Sequence, residues 1–587
     1  MLKYLSKVWF ILKGSRKKLP LLLFTFILSS LLEALGIGLI GPFLNLASHP
    51  DSLSRISILT WLYKQFHFHS SNQFVAALGF LIAIIFCIKS CLYFLAQTYI
   101  YNFSFIHKGK LISRLLNTYL SITYSFYLHK NTATLIKNVL YETMMITNGC
   151  LLPLLNTVAN LVVLIVLLLL LAKTDMMFLI LILAIILPTF IFFYKLKNKF
   201  KTWGKISSDA QQEMVRIINH GLGSLKETRV IGCEGYFQKQ MEEQVKRYEQ
   251  AATKFHSFNI LPRITIETLL IVFTLLFISV SQLIFASNIQ NITSVMAVFA
   301  VASIRLIPVV SQSVQAMGQL QNSSHAVDVI YLDLKEIEKQ DFISQIVISQ
   351  PHKSQTMAFK NQIELQHVSY CYPGASEAAL NNICLTIKKG QSIALIGKSG
   401  AGKTTLVDVL LGLLNPQGGD IKVDNISIYK DIRSWQNIIG YIPQSIFLID
   451  DTIERNIAFG VPDRQINLEK LNTAIKSAQL EELVEQLPKG IKTAVGERGV
   501  RLSGGQRQRI GIARALYHER EILVLDEATS ALDNETEKLV TQAINSLAGK
   551  KTLIVIAHRL STVENCDCIY LLEKGRVVKS GSFQEIL

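Results

Sequence analysis

Residues 397–404 read Gly-Lys-Ser-Gly-Ala-Gly-Lys-Thr, which fits the pattern G-x-x-x-x-G-K-[ST] of a phosphate-cradling loop. The apolar run Ser392–Ile396 before it predicts a buried strand, and Thr405–Leu414 after it predicts a helix. Glycine lets successive backbone N–H groups point at phosphate oxygens, and the start of a helix adds its positive end. The stretch therefore predicts the strand, loop and helix of an α/β phosphate-binding domain.

The side chains of this loop have separate expected roles. Lys403 is expected to reach the β- and γ-phosphates of a nucleotide, and Thr404 to hold Mg²⁺. A chance glycine-rich turn is the alternative, and the motifs farther along the chain argue against it. The residues expected to bind the nucleotide here are Gly397, Ser399, Gly400, Ala401, Gly402, Lys403, Thr404 and Thr405.

Two more predicted strands end in residues suited to the same phosphate. Glu521–Asp526 is an apolar strand that delivers Asp526 and Glu527 at its carboxyl end, where open α/β sheets place their ligands. Asp526 suits an outer-shell hold on Mg²⁺, and Glu527 suits polarising an attacking water. A third strand, Thr552–Ala557, presents His558 at its end. Three predicted strands that are each followed by residues suited to phosphate binding or hydrolysis argue against a chance match.

The chain before about Asn361 has the composition of a membrane protein. Half of the 587 residues are hydrophobic and only 17% are charged, and the apolar residues cluster in this part of the chain. Six apolar runs are long enough to cross a hydrocarbon core of about 30 Å. They are Leu19–Leu46, Phe74–Ile100, Leu151–Ala172, Met176–Tyr194, Ile264–Ala286 and Ile292–Val314.

Basic residues set the expected orientation. The segment Lys195–Lys254 carries twelve Lys or Arg, whereas Ala286–Ile292 carries none. Because basic loops stay in the cytoplasm, the N-terminus, 101–148 and 195–257 are expected to be cytoplasmic. The net charge of +16 falls mainly on segments that flank apolar runs, so it indicates membrane topology, and no nucleic acid partner is expected.

The segments between the spans predict further helices. The two cytoplasmic segments are amphipathic and should continue as helices tens of ångströms beyond the bilayer. Each needs a reversal at its tip, for which Tyr124–Thr132 and Gly221–Gly235 are the candidates. On the outer side, Ser52–Phe68 has near-helical apolar spacing, typical either of an interfacial helix or of a plain connecting helix.

Three cations lie within or at the edge of the apolar spans: Lys89, Arg263 and Arg305. A charge in hydrocarbon is costly, so such residues usually face a water-filled cavity or a partner. They are candidate ligands of an anionic substrate, and Arg suits a phosphate in particular. Arg263 could instead reach the inner membrane boundary along its own side chain, or pair with Glu267 one helical turn away.

The chain thus divides into a membrane domain at 1–320 with long cytoplasmic helical extensions, a linker at 321–360 and a nucleotide-binding domain at 361–587. In the last of these, Tyr372 follows a strand of alternating pattern, Ile363–Val368. An aromatic ring there could stack on adenine, although a Tyr at a strand end is usually part of a core.

Several motifs in the second half resemble those of ATP-binding cassette (ABC) proteins. Leu502–Gln506, read Leu-Ser-Gly-Gly-Gln, is similar to the family's signature sequence, and Gln444 stands at the Q-loop position. Ser530–Asp533 is similar to the D-loop, and His558 to the switch histidine. Six spans followed by one nucleotide domain also resemble an exporter half-transporter.

This resemblance implies a fold, a reaction and an assembly. The fold is a helical membrane domain with six transmembrane helices, like a type I ABC exporter, fused to an α/β P-loop NTPase domain. The reaction is ATP hydrolysis with Mg²⁺, in which Glu527, His558 and Gln444 act catalytically. The metal is held by Thr404, Gln444 and Asp526, partly through water. Tyr372 stacks on adenine, and the signature residues Ser503, Gly505 and Gln506 act on ATP held by a second copy in a homodimer.

The membrane half resembles, more loosely, PglK-type flippases of lipid-linked oligosaccharides. The similarity lies in Glu33–Ala47, in Ser52–Phe68 and in the basic residues of spans two, five and six. It implies a multi-pass protein of the bacterial plasma (inner) membrane, with the N-terminus and nucleotide domain cytoplasmic, that flips a polyprenyl-pyrophosphate-linked oligosaccharide to the outer leaflet. A general lipid or multidrug ABC exporter is the alternative. Six spans disfavour a soluble enzyme acting on nucleic acid, and Glu527 disfavours an ATP-gated channel.

Overall fold

The fold is taken from a computed structural model of the chain. It describes residues 2–12, single positions between 20 and 65, and then 70–174, 176–284, 289–344, 356–526, 534–557, 559 and 563–586. Most of the first predicted span, nearly all of Ser52–Phe68, and the residues Glu527, Ser530–Asp533 and His558 lie outside this description. The chain forms two compact units, one of Met1–Ile122 with Lys130–Phe342 and one of Thr123–His129 with Ile343–Leu587.

In its described residues the first unit is built from helices. Two of them, α2 and α10, have 51 residues each and therefore measure about 76 Å, more than twice a hydrocarbon core. The bounds are α1 Leu2–Ile11, α2 Ser71–Ser121, α4 Thr132–Lys137, α5 Thr143–Ile146, α6 Leu152–Thr174, α7 Met176–Lys195, α8 Lys197–Gly223, α9 Leu225–Ile231, α10 Glu234–Ile284, α11 Ile289–Asn322 and α12 Ser324–Ser344, while α3, Tyr124–His129, belongs to the second unit.

Two helices of the described part are long and apolar enough to cross a membrane, Asn72–Ser121 and Thr132–Leu169, and a shorter apolar helix covers Ile186–Lys195. The total of six spans stays a prediction. The short helices α3 and α9 lie within the two segments where the sequence predicts reversals. The stretch assigned to a linker, 321–360, begins in the structure with the end of α11 and with α12.

A buried polar network joins the helices near the start of the third predicted span. The turns Asn138–Glu142 and Thr147–Leu151 are π-helical, a local insertion that is frequent at functional positions. On α12, Oδ2 of Asp333 accepts two hydrogen bonds. Nδ2 of Asn138 donates one at 3.0 Å, and the hydroxyl of Tyr119 on α2 donates the other at 2.6 Å. Lys130 donates to the other oxygen of Asp333 at 2.6 Å. One carboxylate, 4% exposed, thus ties three parts of the helical unit together.

The second unit contains two sheets. The smaller is antiparallel with the order β2-β1-β4-β5, and the larger has the order β10-β9-β3-β8-β7-β6, in which all neighbours but β9 and β10 are parallel. The strands are β1 Gln362–Tyr370, β2 Leu380–Lys388, β3 Ser392–Ile396, β4 Gly418–Val423, β5 Ile426–Ser427, β6 Ile439–Ile442, β7 Ile522–Asp526, β8 Thr552–Ile556, β9 Cys568–Glu573 and β10 Arg576–Gly581.

The larger sheet is buried on both faces, as its continuous apolar strands require. Along β3, Ile393 and Leu395 pack into one core with the smaller sheet, and Ala394 packs into another core on the opposite face. The helices of this unit are α13 Lys403–Leu410, α14 Ile432–Gln436, α15 Ile453–Ile457, α16 Leu468–Ser477, α17 Glu481–Gln486, α18 Gly504–Tyr517, α19 Asn534–Asn545 and α20 Phe583–Ile586.

The register of the parallel strands brings the predicted chemistry to one edge. Ile556 on β8 lies opposite Leu395 of β3 on one side and Asp526 of β7 on the other. The loop after β3, the carboxylate of Asp526 and the segment after β8 therefore leave the sheet side by side. The helix after the loop, α13, begins at Lys403 and ends at Leu410, earlier than the Leu414 that the sequence predicts, because Gly412 turns the backbone with a φ of +69°.

Candidate nucleotide-binding site

The glycines of the phosphate loop are held in backbone conformations that favour glycine. Gly397, Gly400 and Gly402 have φ angles of +149°, +80° and +99°. A Cβ at Gly397 would lie 2.3 Å from the carbonyl oxygen of Leu572, and one at Gly402 would lie 2.7 Å from that of Ala379. The loop therefore keeps its shape only without side chains at these two positions.

Lys403 points back into the loop. Its Nζ donates to the carbonyl oxygens of Gly397 at 2.7 Å and Lys398 at 3.2 Å, and the residue is 6% exposed. The neighbouring Thr404 is exposed, so its hydroxyl is open to a ligand. An ammonium held by backbone carbonyl oxygens of the loop, beside an exposed hydroxyl, suits a phosphate with a bound cation.

Tyr372 stands close to the first turn of α13. Its hydroxyl lies 3.2 Å from Oγ1 of Thr405, and its ring packs edge-on against Tyr370 at 5.1 Å. The Tyr372 side chain is half-buried against the smaller sheet. The structure thus brings the predicted adenine-stacking ring next to the phosphate loop.

Asp526 ends β7 as a buried carboxylate, 8% exposed. Tyr441 on the neighbouring strand β6 donates a hydrogen bond of 3.3 Å to its Oδ2. Burial, aided by the charge of Asp526, raises the pKa of Asp408 on α13 to about 6. Neither Asp408 nor the hydroxyl of Tyr441 is predicted as a site residue, since no motif marks them.

Gln444 lies two residues beyond the end of β6, with an exposed side chain. The segment after it is braced by Asn456, which is fully buried and exchanges hydrogen bonds of 3.0 Å with both backbone groups of Ile449. Arg514 on α18 donates to the carbonyl oxygens of Asn456 and Phe447. These contacts link the Gln444 segment to the helix that follows the signature sequence. The sequence alone gives no signal for Asn456 or Arg514, because no motif marks them and most of their partners are backbone atoms.

The signature sequence forms the start of α18. Ser503 caps the helix, accepting from the N–H of Gln506 at 3.2 Å while its own N–H donates to Oε1 of Gln506 at 2.9 Å. Ser503 is exposed and Gly505 is buried. A 14-residue helix that begins with an exposed hydroxyl and no bulky side chain offers its positive end to an anion. The signature residues lie on a different loop from Lys403, which accords with a role toward another copy's nucleotide.

Of the predicted catalytic residues, Glu527 and His558 lie outside the described residues, so their roles remain predictions. The residue after His558 is described: Arg559 forms an ion pair with Glu537 on α19. Both side chains are at least two-thirds buried, at 33% and 14% exposed. This pair anchors the chain immediately beyond the predicted switch histidine.

The arrangement fits a Mg²⁺-bound nucleoside triphosphate. The loop after β3 and Lys403 would hold the phosphates, Thr404 and Asp526 would hold the ion, and Tyr372 would contact the base. When bound, Mg²⁺ would neutralise part of the negative charge of the phosphates. The residues present thus provide both the positive cradle and the oxygen ligands that such a ligand requires.

The three predicted substrate cations have different surroundings. Arg263 lines a cavity between α10 and α11 together with Glu267, yet no ion pair joins these two described side chains. Lys89 lies 5.9 Å from the centre of the Tyr93 ring, which shares its helix. Arg305 belongs to α11, and its side chain lies outside the description.

The fold and the site define a P-loop ATPase domain joined to a helical membrane unit. A family model described as ABC transporter matches residues 380–530. Two relatives are named ATP-dependent lipid A-core flippase. The one from Methylobacillus flagellatus is 32% identical over 69% of this chain and 67% of its own length, and the one from Cupriavidus metallidurans is 30% identical over 79% and 77%.

A solved structure, titled a bacterial Atm1-family ABC exporter with ATP bound, has a TM-score of 0.71 at 21% identity and matches 95% of this chain and 96% of its own. The chain belongs to the ABC transporter family, as an exporter half-transporter that hydrolyses ATP. The predicted fold class, a helical membrane domain fused to an α/β P-loop ATPase domain, is confirmed.

Proposed function

We propose that two copies of this chain flip a lipid-linked substrate from the cytoplasmic to the outer leaflet of the bacterial inner membrane, driven by ATP and Mg²⁺. The observation that carries the proposal is the phosphate loop around Lys403, with the buried carboxylate of Asp526 in the same sheet, on a chain with membrane-length helices. With the cytoplasmic orientation expected from the basic loops, ATP is consumed on the inner side.

The position of the signature sequence supports the proposed homodimer. Ser503 and Gly505 open α18, whereas Lys403 opens α13, and one chain carries one copy of each. A second copy supplies a signature helix to each phosphate loop, so that two equivalent sites form. ATP binding would then draw the copies together, and hydrolysis at Glu527 would release them.

The cargo is proposed to be a lipid with a phosphate-bearing head group. The relatives are named for a lipid A-core, which favours a lipid over a soluble drug. A polyprenyl-pyrophosphate-linked oligosaccharide is the finer proposal, supported by the resemblance of Glu33–Ala47 and by Arg263 in a membrane cavity. A general lipid or multidrug exporter is the second candidate.

Flipping in reconstituted vesicles tests the proposal. The full chain is reconstituted with a fluorescent polyprenyl-pyrophosphate-linked oligosaccharide, or with lipid A-core, and the outer-leaflet fraction is followed after ATP addition. We expect ATP-dependent flipping of at least one lipid, and its loss together with hydrolysis in Glu527→Gln. We expect Arg305→Ala to slow flipping while basal hydrolysis continues. Hydrolysis without flipping of either lipid would contradict the proposed cargo, and a strictly monomeric active protein would contradict the dimer.

A further inference from the structure

The ring of Tyr372 is carried by an exposed loop. Strand β1 ends at Tyr370 and β2 begins at Leu380, and residues 373–378 between them are exposed. Exposed loops are more mobile than the strands they connect. A ring that is in place for only part of the time binds its ligand more weakly by that fraction. The contacts that hold this loop therefore bear on the affinity for a nucleotide base.

Strand β1 carries an extra residue shortly before the loop. Ser369 lies opposite Gly418 on β4, whereas Gln366 lies opposite Asp420, so three steps along β1 match two along β4. Within this bulge, His367 has a φ of +53°. A bulge bends its strand and changes the direction of the residues that follow. Because it also interrupts the regular pairing, the residues after the bulge need other partners for their backbone groups.

The side chain of Gln417 provides those partners for Cys371. If the register continued beyond Ser369 and Gly418, Pro416 would lie opposite Cys371, and proline has no N–H to donate. Instead, Oε1 of Gln417 accepts from the N–H of Cys371 at 2.7 Å, and Nε2 of Gln417 donates to the carbonyl oxygen of Cys371 at 2.8 Å. A primary amide offers the same donor and acceptor as a backbone peptide. One side chain thus makes both of the hydrogen bonds that a paired strand would make.

The side chain of Cys371 contacts the loop that follows it. Its Sγ lies 3.4–3.6 Å from three carbonyl oxygens of the loop, those of Tyr372, Ala375 and Glu377. The N–H of Ala375 also donates to the carbonyl oxygen of Tyr372 at 3.0 Å, which closes a turn. Both sides of the loop are therefore gathered around Cys371, whose own backbone is held by Gln417. The peptide that Gln417 holds directly precedes Tyr372.

We propose that Gln417 is a positioning residue, which holds the ring of Tyr372 in place for the adenine base by fixing the backbone of Cys371. The inference rests on the proposed ATP-driven function, in which Tyr372 contacts the base. The phosphates are bound by a different segment, the loop after β3 with Lys403. Gln417 therefore contributes to the binding of the base and leaves the binding of the phosphates unchanged.

Two ligands, one with a base and one without, test the proposal. They are a non-hydrolysable ATP analogue and inorganic tripolyphosphate, each titrated with Mg²⁺ into the full-length protein in detergent and followed by calorimetry. We expect Gln417→Leu to raise the Kd of the ATP analogue about fivefold, because the loop then holds the ring in place for less of the time. The Kd of tripolyphosphate should not change. Tyr372→Ala should show the same selectivity, and adding Gln417→Leu to it should have no further effect.

Gln391→Leu is the matched control. Gln391 also braces backbone with its side-chain amide, accepting from the N–H of Lys388 at 2.9 Å, but it precedes β3 at the end opposite the phosphate loop. This variant should bind both ligands as the wild-type protein does, and thermal unfolding checks that it and Gln417→Leu are folded alike.

Three results would overturn the positioning role of Gln417: an unchanged affinity of Gln417→Leu for the ATP analogue, equal weakening of both ligands, or a further loss when Gln417→Leu is added to Tyr372→Ala. If Tyr372→Ala bound both ligands like the wild-type protein, the base contact itself would be refuted, and the role of Gln417 with it. The assay contains no transported lipid, so none of these results alters the proposed cargo, and a failure to flip lipid would leave the role of Gln417 standing.

Discussion

Lys137 and Glu142 form an ion pair of 2.9 Å in which each side chain is only 3% exposed. Ser208 on α8 bridges the pair, accepting from Lys137 at 3.1 Å and donating to Glu142 at 2.8 Å. A buried charge is tolerated only when it is paired and hydrogen-bonded, as both are here. Lys137 ends α4 and Glu142 ends the π-helical turn that follows it, Asn138–Glu142. Through Ser208, the pair joins this turn to α8.

Breaking this pair from one side should destabilise the helical unit. Lys137→Met leaves Glu142 buried without a counter-charge, for which we expect a loss of about 3–5 kcal/mol in the free energy of unfolding. The double variant Lys137→Met with Glu142→Leu should recover most of that loss. Thermal unfolding of the full chain in detergent measures both. Arg216→Met is the control, since its pair with Glu213 is exposed and should contribute at most about 0.5 kcal/mol. Equal effects of Lys137→Met and Arg216→Met would refute the prediction.

The phosphate loop offers a matched pair of glycine substitutions. Gly400 and Gly402 both have positive φ, so alanine costs about 1–3 kcal/mol of strain at either position. Only at Gly402 does a Cβ also meet backbone, 2.7 Å from the carbonyl oxygen of Ala379, whereas nothing lies within 4 Å at Gly400. We expect Gly402→Ala to weaken binding of a fluorescent ATP analogue about tenfold more than Gly400→Ala does. A larger loss in Gly400→Ala would contradict this account of the loop.

The carboxyl of Asp408 should make stability depend on pH. Its pKa is raised to about 6 by burial and by Asp526, so the folded protein binds its proton more tightly than the unfolded chain. Stability therefore falls as the pH rises from about 4 to 6 and stays lower above that range. Asp408→Asn should stabilise the second unit at pH 7.5 by about 1 kcal/mol, a value lowered because Asp408 is only partly buried. The same substitution should have little effect below about pH 4, where the carboxyl is protonated in both states. The exposed Asp450, changed to Asn, should show no such pH dependence in thermal unfolding.

Arg559 is expected to act by positioning its neighbour His558. Arg559→Met removes the ion pair with Glu537 and frees the chain after β8. We expect kcat for ATP hydrolysis to fall about tenfold, because misplaced catalytic groups lose rate steeply, while KM stays unchanged. Glu537→Gln should have the same effect, and the double variant should be no worse than either single one. Arg559→Lys should restore part of the rate. A rise in KM with unchanged kcat would show that Arg559 contacts the nucleotide instead.

Local motifs explain why the strands and the phosphate loop of the nucleotide domain could be predicted from the sequence. Strand β3 begins and ends where the sequence predicts. Its apolar run follows the turn residues Lys389–Gln391 and stops before Gly397. The carboxylate of Asp526 was expected at the end of a buried strand, and β7 ends there. Spacing and residue type along the chain carry this information.

Contacts between distant residues could not be predicted in the same way. Nothing in the sequence indicates that Tyr441 donates to Asp526, or that Arg514 holds the carbonyl oxygen of Phe447, because these depend on how strands and helices pack. The same holds for the membrane half. Arg263 stands out in the sequence as a charge near a span, but the amides of Gln312 and Gln315 are ordinary polar residues until α10 and α11 place them in the same cavity.

The placement of Thr123–His129 within the second unit has a consequence for biosynthesis. Burial, with Asp408 and Tyr372 nearby, raises the pKa of Tyr124, so this short helix has its neighbours in the later half of the chain. The 213 residues of Lys130–Phe342 separate it from the rest of its unit. At a translation rate of about 5–20 residues per second, the helix leaves the ribosome about 10–40 s before those partners begin to appear. The ATPase domain therefore cannot reach its final form until the intervening helices have been synthesised.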